Sequence, residues 1–409
     1  MGTMRQVLRT LRLTIRAGQL AIVAVSLYQS AITIAGYRKY RRYREVRPEP
    51  PEGLPRFGLV VCARNEEDVI ARIVADLLAQ DYPAELRDVV VVAHNCSDNT
   101  ASAAARAGAR VIEHYTAAAG KAHAIEAGRL AFGPGYDFIG VFDADARVAP
   151  GMLTEIAAHS KDRECLQAEV VPIADPDWLA EGYGFGRKAR NLFWWRPREA
   201  LGLSTTITGS GWFIRPGILA QYATGSWTMT EDLELSVRLV TDGHAVTYVS
   251  RAQIACGEPR ELKSSMQQRS RWVRGHIHVV MGRWLPLVRR AATGDLRALD
   301  LAVYLVVPTR LLTRMGVTVT AVAGLITPAF ALPGVIVWAA MAGEWLAPAY
   351  IGWKERLVHL SSGSLMLGLR HSILSLLWFP IGAWAMGTAR LRAWHAMPRI
   401  LERETNNVR

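Results

Sequence analysis

Two acidic clusters set the chemistry this chain can attempt. The first is Gly140-Val141-Phe142-Asp143-Ala144-Asp145, an apolar run ending in two carboxylates two positions apart. Ligands of open α/β sheets bind outside the carboxyl ends of strands, so acids at a strand's end are delivered to the place where a site forms. Carboxylate oxygens there suit a hard divalent cation, Mg2+ or Mn2+, which bridges to diphosphate oxygens and neutralises a leaving group. A strand followed by an acidic turn gives the same text without a metal, and the hexapeptide by itself leaves both readings open.

The second cluster, Thr230-Glu231-Asp232-Leu233-Glu234, puts three acids at the start of a helix whose apolar positions are Leu233, Val237 and Val240. Acids in a first turn favour the helix dipole with no other task. Displacement at a sugar carbon, however, needs a base to take the proton of the incoming hydroxyl, and a carboxylate in a partly desolvated cleft meets that need. Asp232 is the first candidate and Glu231 the second. A third element, Gln268-Arg269-Ser270-Arg271-Trp272, lies in a basic, helical-looking stretch. On a helix Gln268, Arg271 and Trp272 share one face, where a guanidinium grips phosphate and an indole stacks on a ring. A helix lying on a membrane surface carries the same Arg and Trp enrichment.

The elements that must hold these residues follow from periodicity. Between residues 56 and 255, short β-rich runs alternate with helical ones, the pattern of an α/β layer with a largely parallel sheet. Strands are expected at 57–62, 89–93, 110–113, 138–142 and 165–171, and helices at 67–80, 98–107 and 121–131, with Asp98 capping the second helix. Ahead of this domain, residues 17–37 form an uncharged stretch of 21 residues, enough to cross a ~30 Å hydrocarbon slab. Four arginines precede it (Arg5, Arg9, Arg12, Arg16) and six basic residues come after it between 38 and 47. That length and those flanks fit a spanning helix rather than a cleaved signal peptide, and they put the α/β domain in the cytosol. The proline-rich residues 48–55 make a short stiff linker.

The chain turns apolar again toward its end. Residues 315–343 and 372–389 carry no charge, and each is long enough to span. Residues 299–312 contain Arg310, which opens the alternative of an interfacial amphipathic helix. A basic tail (Arg390, Arg392, Arg399, Arg403) predicts a cytosolic C-terminus and hence an even number of crossings, two by this count. The expected organisation is a membrane helix with basic flanks over 1–47, the linker, a cytosolic catalytic domain over 56–260, interfacial helices over 261–298, and a membrane region of two to four helices over 299–409.

Composition agrees. A hydrophobic share of 50% and a mean hydropathy of +0.11 exceed what a soluble enzyme of 409 residues needs, and the excess sits at the two ends. Many arginines behind the net charge of +12 flank those apolar ends, so anionic membrane lipids, not nucleic acid, are the expected partner. Cys62, Cys96, Cys165 and Cys256 are scattered with no Cys-x-x-Cys pair, which excludes a zinc framework and fits reduced thiols facing the cytosol.

Strand-end acids, helix-start acids and the Gln-x-x-Arg-Trp face, in that order beside membrane helices, resemble the membrane-bound members of glycosyltransferase family 2, the group with cellulose, chitin and hyaluronan synthases. The resemblance covers roughly residues 56–276. It implies a GT-A catalytic domain, a nucleotide-sugar donor, Mg2+ or Mn2+ as cofactor, and inverting transfer to a saccharide or lipid-linked acceptor at the plasma membrane. A β-linked polysaccharide or oligosaccharide is the implied product. Transfer of a single sugar to a lipid carrier or small molecule is the alternative; a non-catalytic membrane protein that binds anionic lipid or nucleic acid is the alternative of another class.

Through the same resemblance, Ala63, Arg64, Asn65 and Glu66 correspond to the loop that lines the nucleotide pocket after the first strand. His94 and the run Asn95 to Asp98 correspond to the loop after the second. Lys121, after Gly120, stands where a Gly-Lys pair nears the diphosphate. Asp143 and Asp145 match the metal and diphosphate motif, Asp232 the base, and Gln268, Arg271 and Trp272 the motif that closes over donor and acceptor. Gly209, Ser210, Gly211 and Trp212 fall where the acceptor end is shaped, with Glu231 beside the base and Gln167 near the same cleft. Where this sequence has His94 the family commonly has an aspartate that contacts the nucleotide, which leaves the donor's base open.

Overall fold

The structure, a computed structural model, describes residues 2–43, 46, 48, 51–117, 120–222, 228–306, 352, 354–355 and 362–388. Eight strands form one sheet: β1 Phe57–Ala63, β2 Arg87–His94, β3 Arg110–His114, β4 Phe138–Asp143, β5 Arg147–Val148, β6 Cys165–Pro172, β7 Trp212–Ile214 and β8 Val246–Cys256. Their order is β3-β2-β1-β4-β7-β6-β8-β5. The first four are mutually parallel, as expected. Beyond them the expectation needs correcting, because β7 runs antiparallel to both β4 and β6 and β5 antiparallel to β8, making the sheet mixed. The three residues of β7 come after a turn at Gly209 and Gly211, both with positive φ, and carry no apolar run long enough to read as a strand.

Central strands are buried on both faces, hence their near-continuous apolar text. Along β1, Leu59 and Val61 feed one core with Phe142 and Phe213, while Val60 feeds the other with Val141, Trp212 and Leu235. Helices α2 Ile70–Leu78, α3 Thr100–Arg106, α4 Lys121–Leu130 and α5 Met152–Ala158 cover the faces. Helix α2 starts later than its periodicity suggests, since the amides of Glu66 and Glu67 bond instead to Thr100 Oγ1 (2.7 Å) and Asp98 Oδ2 (3.2 Å), tying the loop after β1 to the loop after β2.

After β6 come α6 Trp178–Arg190, a π-turn over Asn191–Trp195, α7 Arg196–Leu201 and α8 Pro216–Tyr222, then α9 Glu231–Thr241 before β8. Next come α10 Leu262–Ala291 and α11 Leu296–Val306. Leu233 and Val237 of α9, Val279 and Leu287 of α10, and Leu301 and Leu305 of α11 make a third core. Helix α10 runs 30 residues, well beyond the basic stretch.

The N-terminal helix, α1 Gly2–Tyr43, includes Leu13–Arg42, one of two segments among the described residues long and apolar enough to cross a membrane. The other, Met366–Gly387, spans α12 Ser362–Leu376 and α13 Trp378–Gly387. Helix α1 wears its polarity inside out: Gln19, Ser26, Gln29 and Thr33 are buried while Leu13, Leu20, Leu27 and Ile34 are exposed. Its polar stripe packs on the catalytic domain. Tyr28 donates to Asp300 (2.9 Å), and Gly36 lies so close to Pro197 that a Cβ would sit 2.4 Å from the Pro197 carbonyl oxygen. The expected span at 315–343, Arg310 and the basic tail lie outside the described residues.

Candidate active site

Strand β4 ends at Asp143, and alternation along the chain leaves Phe142, Ala144 and Ala146 buried while Asp143 is half-buried and Asp145 exposed. The loop 207–211 closes over this strand end and is pinned on three sides. Asp143 donates its amide to Ser210 Oγ (2.9 Å). Buried Gln167 accepts from the Thr208 amide (2.9 Å) and donates to the Ser210 carbonyl (2.9 Å). Ser236, from α9, accepts from the Ile207 amide (2.8 Å) and donates to the Asp232 carbonyl (2.7 Å).

The consequence is a meeting of acids. A Cβ on Gly209 would lie 3.6 Å from Asp143 Oδ2 and 3.7 Å from Asp232 Oδ2, so carboxylates 89 positions apart in sequence face the same glycine. The other oxygen of Asp232 accepts from the Leu233 amide (2.8 Å). Lys121, first residue of α4, donates to Asp143 Oδ1 (2.6 Å) and to the Gly209 carbonyl (2.5 Å). Gly120 before it has φ +136, with open space where a side chain would be.

Burial governs the electrostatics. It pushes Glu231 up to about 7, with the negative charge of Asp232 adding to the effect. It also raises Asp232, against the Leu233 amide and the Lys121 charge. Burial works against the Lys121 ammonium, but Asp143, the Cys62 thiol and Glu231 outweigh it and hold the lysine above its ordinary value. Among the described residues, the recess therefore sets one firmly charged cation near two α9 acids, Glu231 and Asp232, that burial makes reluctant to ionise, the condition under which a carboxylate serves as a base near neutral pH.

Helix α10 reaches this recess through its shortest residue. A Cβ on Gly275 would lie 2.6 Å from Thr230 Oγ1 and Cγ2, immediately before the α9 acids. Gln268, Arg271 and Trp272 precede Gly275 by seven, four and three residues, so they continue the same face of α10. Glu234 secures the contact by accepting from Arg283 of α10 (3.2 Å) and from the Thr228 amide (2.7 Å).

The expected nucleotide-side residues group at the ends of β1 and β2. Asn65 and Asn95 both have positive φ, and Asn65 Oδ1 accepts from the Ser97 amide (2.8 Å). Glu66 is buried, Ala63 ends β1, and Arg64 is half-exposed close enough to His94 for its charge to be felt. His94 is buried and faces His114 (ring centroids 5.3 Å) and His123 (6.4 Å). Burial and those neighbours lower its pKa, so it is neutral at pH 7.

One expectation is corrected and another residue has a structural task. Both oxygens of Asp98 are engaged by protein donors, Thr100 and the Glu67 amide, so this acid holds the two loops together. The Trp212 indole is only 2% exposed and belongs to the second core, so it packs beneath the turn instead of contacting an acceptor. Sequence reading missed Ser236, a small polar residue inside an apolar-periodic helix, and Gly275. It also missed an aromatic wall in which Tyr304 of α11 meets Trp194 (5.5 Å), Trp195 (5.9 Å) and His276 (6.1 Å) within electrostatic reach of Asp232.

The donor chemistry suits a hard divalent cation, since Asp145 projects an exposed carboxylate beside Asp143. Among the described residues no group of three or more His, Cys, Asp or Glu side chains is arranged to hold a metal ion by itself.

The family model described as glycosyltransferase like family 2 matches residues 55–275, which holds Lys121, Asp143, Asp145, the loop 207–211, the α9 acids and α10 as far as Gly275. The chain belongs to glycosyltransferase like family 2. Its fold is accordingly the GT-A fold, here with a mixed sheet. Among curated relatives in this family, β-monoglucosyldiacylglycerol synthase of Trichormus variabilis is 27% identical over 62% of this chain and 55% of its own length. The enzyme of the same name from Synechocystis sp. is 26% identical over 56% and 50%. The chain thus spans about half the length of these relatives. The probable glycosyltransferase YdaM of Bacillus subtilis is 26% identical over 62% and 64%. Among solved structures, the mannosyltransferase PcManGT from Pyrobaculum calidifontis, in complex with GDP-Man and Mn2+, covers 79% of this chain and 99% of its own, at 16% identity and a TM-score of 0.46.

Proposed function

We propose that this family 2 glycosyltransferase moves one sugar from a nucleotide-diphosphate donor to the hydroxyl of a membrane lipid, by single displacement with inversion. The observation that carries the chemistry is the convergence of Asp143 and Asp232 on Gly209, with Lys121 bonded to one of them. The names of the β-monoglucosyldiacylglycerol synthases support a lipid acceptor over a growing polysaccharide, and the two apolar segments would bring the site to a membrane.

In this reading Asp232 is the base. Its carboxylate, raised by burial, takes the proton of the acceptor hydroxyl as that oxygen attacks the anomeric carbon from the face opposite the diphosphate. Lys121 and Arg271 stabilise negative charge on the departing diphosphate. Trp272, on the same face of α10, stacks on a sugar ring, and Gly209, with no side chain, leaves the space between the two acids open. Asp145 with Asp143 would hold Mg2+ or Mn2+, which when bound supplies Lewis-acid neutralisation of the leaving group. His94, neutral, offers a hydrogen bond to the nucleotide without the negative charge of a carboxylate.

The test is direct. Full-length protein in nanodiscs is incubated with UDP- and GDP-sugars, Mg2+ or Mn2+, and diacylglycerol, and lipid products are resolved by thin-layer chromatography and mass. One added hexose on the lipid is the expected product. A polymer ladder made without lipid acceptor would overturn the acceptor reading, and no nucleotide release from any donor would overturn the transfer itself.

A further inference from the structure

Opposite the face that meets the acids, α10 borders a groove of about 600 Å3 shared with α13. At 3.6 residues per turn, Leu262, Met266, Ser270 and Arg274 form one ridge spaced by four, with Lys263 beside it, while Gln268, Arg271, Trp272 and Gly275 project from the other side. Trp384 walls the groove from the segment Met366–Gly387, and its indole is 65% exposed. Leu262 is also exposed. An indole at this level of an apolar helix, beside a helix rich in arginine, marks a headgroup boundary.

Among the described residues, the charges of the groove are uncompensated. Three other cations of α10 have protein partners: Arg283 pairs with Glu234, Arg290 with Asp295, and Arg269 lies over the Tyr183 ring (3.7 Å). Among the described residues neither Lys263 nor Arg274 has an acidic partner; Arg274 donates only to the Ser270 carbonyl (3.3 Å) one turn back. An apolar floor with two unpaired cations at its rim complements an amphiphile whose head is negative.

We propose that this groove binds an anionic phospholipid of the leaflet, its acyl chain along Leu262, Met266 and Trp384 and its phosphate on Arg274 or Lys263. The site is distinct from the transfer chemistry and does not depend on which acceptor is used. It places a lipid directly behind the helix that carries Arg271 and Trp272.

Native mass spectrometry of the full-length protein in detergent tests it, with phosphatidylglycerol, phosphatidylcholine and diacylglycerol added separately. The wild-type protein should retain phosphatidylglycerol selectively. K263Q and R274Q should each weaken it about fivefold and the double variant by roughly the product, W384A should weaken it as well, and R289Q, an exposed arginine at the far end of α10, should not. Thermal midpoints identify any variant that misfolds, in which case the single substitutions decide. Equal retention of phosphatidylcholine or diacylglycerol, unchanged binding in K263Q/R274Q, or an equal loss in R289Q would each overturn the proposal.

Discussion

The carboxylates of Asp143, at the tip of β4, and Asp232, in the first turn of α9, face one another across Gly209. Among the described residues only one of these acids is bonded to a cation: Lys121 holds Asp143, while Asp232 is held by a backbone amide. This asymmetry separates an electrostatic role from a base role. Asp232→Asn keeps the shape and removes the base, so kcat should fall by roughly 10^2- to 10^4-fold while donor affinity, read by calorimetry, changes little. Near wild-type turnover would exclude Asp232 as the base.

Gly209 itself has φ +83, and the added methyl of Gly209→Ala would stand at ordinary contact distance from both acids. The substitution therefore meets strain rather than collision, a cost of about 1–2 kcal/mol for a side chain in left-handed backbone. Thermal unfolding should show a midpoint lower by a few degrees, and transfer should drop further than stability explains because the methyl fills the space between the acids. An Ala variant with unaltered kcat/KM would mean that nothing passes between them.

How much of this is legible in the sequence depends on whether a residue's task is local. The acids at 143, 145 and 232 announce themselves because a strand end and a helix start are read from nearby periodicity. Strands β1 to β4 and β6 are legible for the same reason. The features that stay hidden are set by distant partners. Trp212 reads as part of a glycine turn shaping the acceptor end, but the antiparallel pairing of β7 with β4 and β6 turns it into the core. Gly275 is one glycine in a helical run until α9 is packed against it. The polar stripe of α1 is invisible to a count of charges, because Gln, Ser and Thr are uncharged and still need partners when buried.

Lys121 lowers the pKa of both α9 acids. Removing it in Lys121→Met takes away a charge that favours their ionised forms, so each must be deprotonated at a higher pH. The base is active only when ionised, so the acid limb of kcat/KM should move upward in pH, and the ratio of variant to wild-type activity should climb as pH rises. Superimposable profiles would show that the ammonium does not act on the base.

Close approach at Gly275 makes a coupled prediction. Gly275→Ala drives a methyl into Thr230, and the neighbour is a β-branched side chain with little freedom to move. Helix α10 should shift off α9, lowering both stability and transfer. Thr230→Ala removes the colliding atoms, so the double variant should recover part of the loss, with an interaction energy of about 0.5–3 kcal/mol in a double-mutant cycle. Additive losses would mean that the contact does not position α10.

Arg198 carries the link between α1 and the catalytic domain. It is 1% exposed and donates to both oxygens of Asp300 (2.7 and 3.0 Å) and to Gln29 (2.9 Å). Tyr28 donates to the same aspartate, and the Arg198 guanidinium lies 3.6 Å from the Trp194 ring centroid. Breaking a buried pair by removing one partner leaves the other charge unpaired, at a cost of about 3–5 kcal/mol. Arg198→Met should therefore destabilise the protein strongly and loosen α1, seen as faster proteolysis at its basic end, residues 38–43. Asp300→Leu in the same chain removes the stranded charge, so Arg198→Met/Asp300→Leu should be markedly more stable than Arg198→Met alone. Because Asp300 and Tyr304 lie one turn apart on α11, the single variant should also disturb the aromatic wall near Asp232 and raise the acceptor KM more than the donor KM. Equal effects on both substrates would confine the network to anchoring the helix.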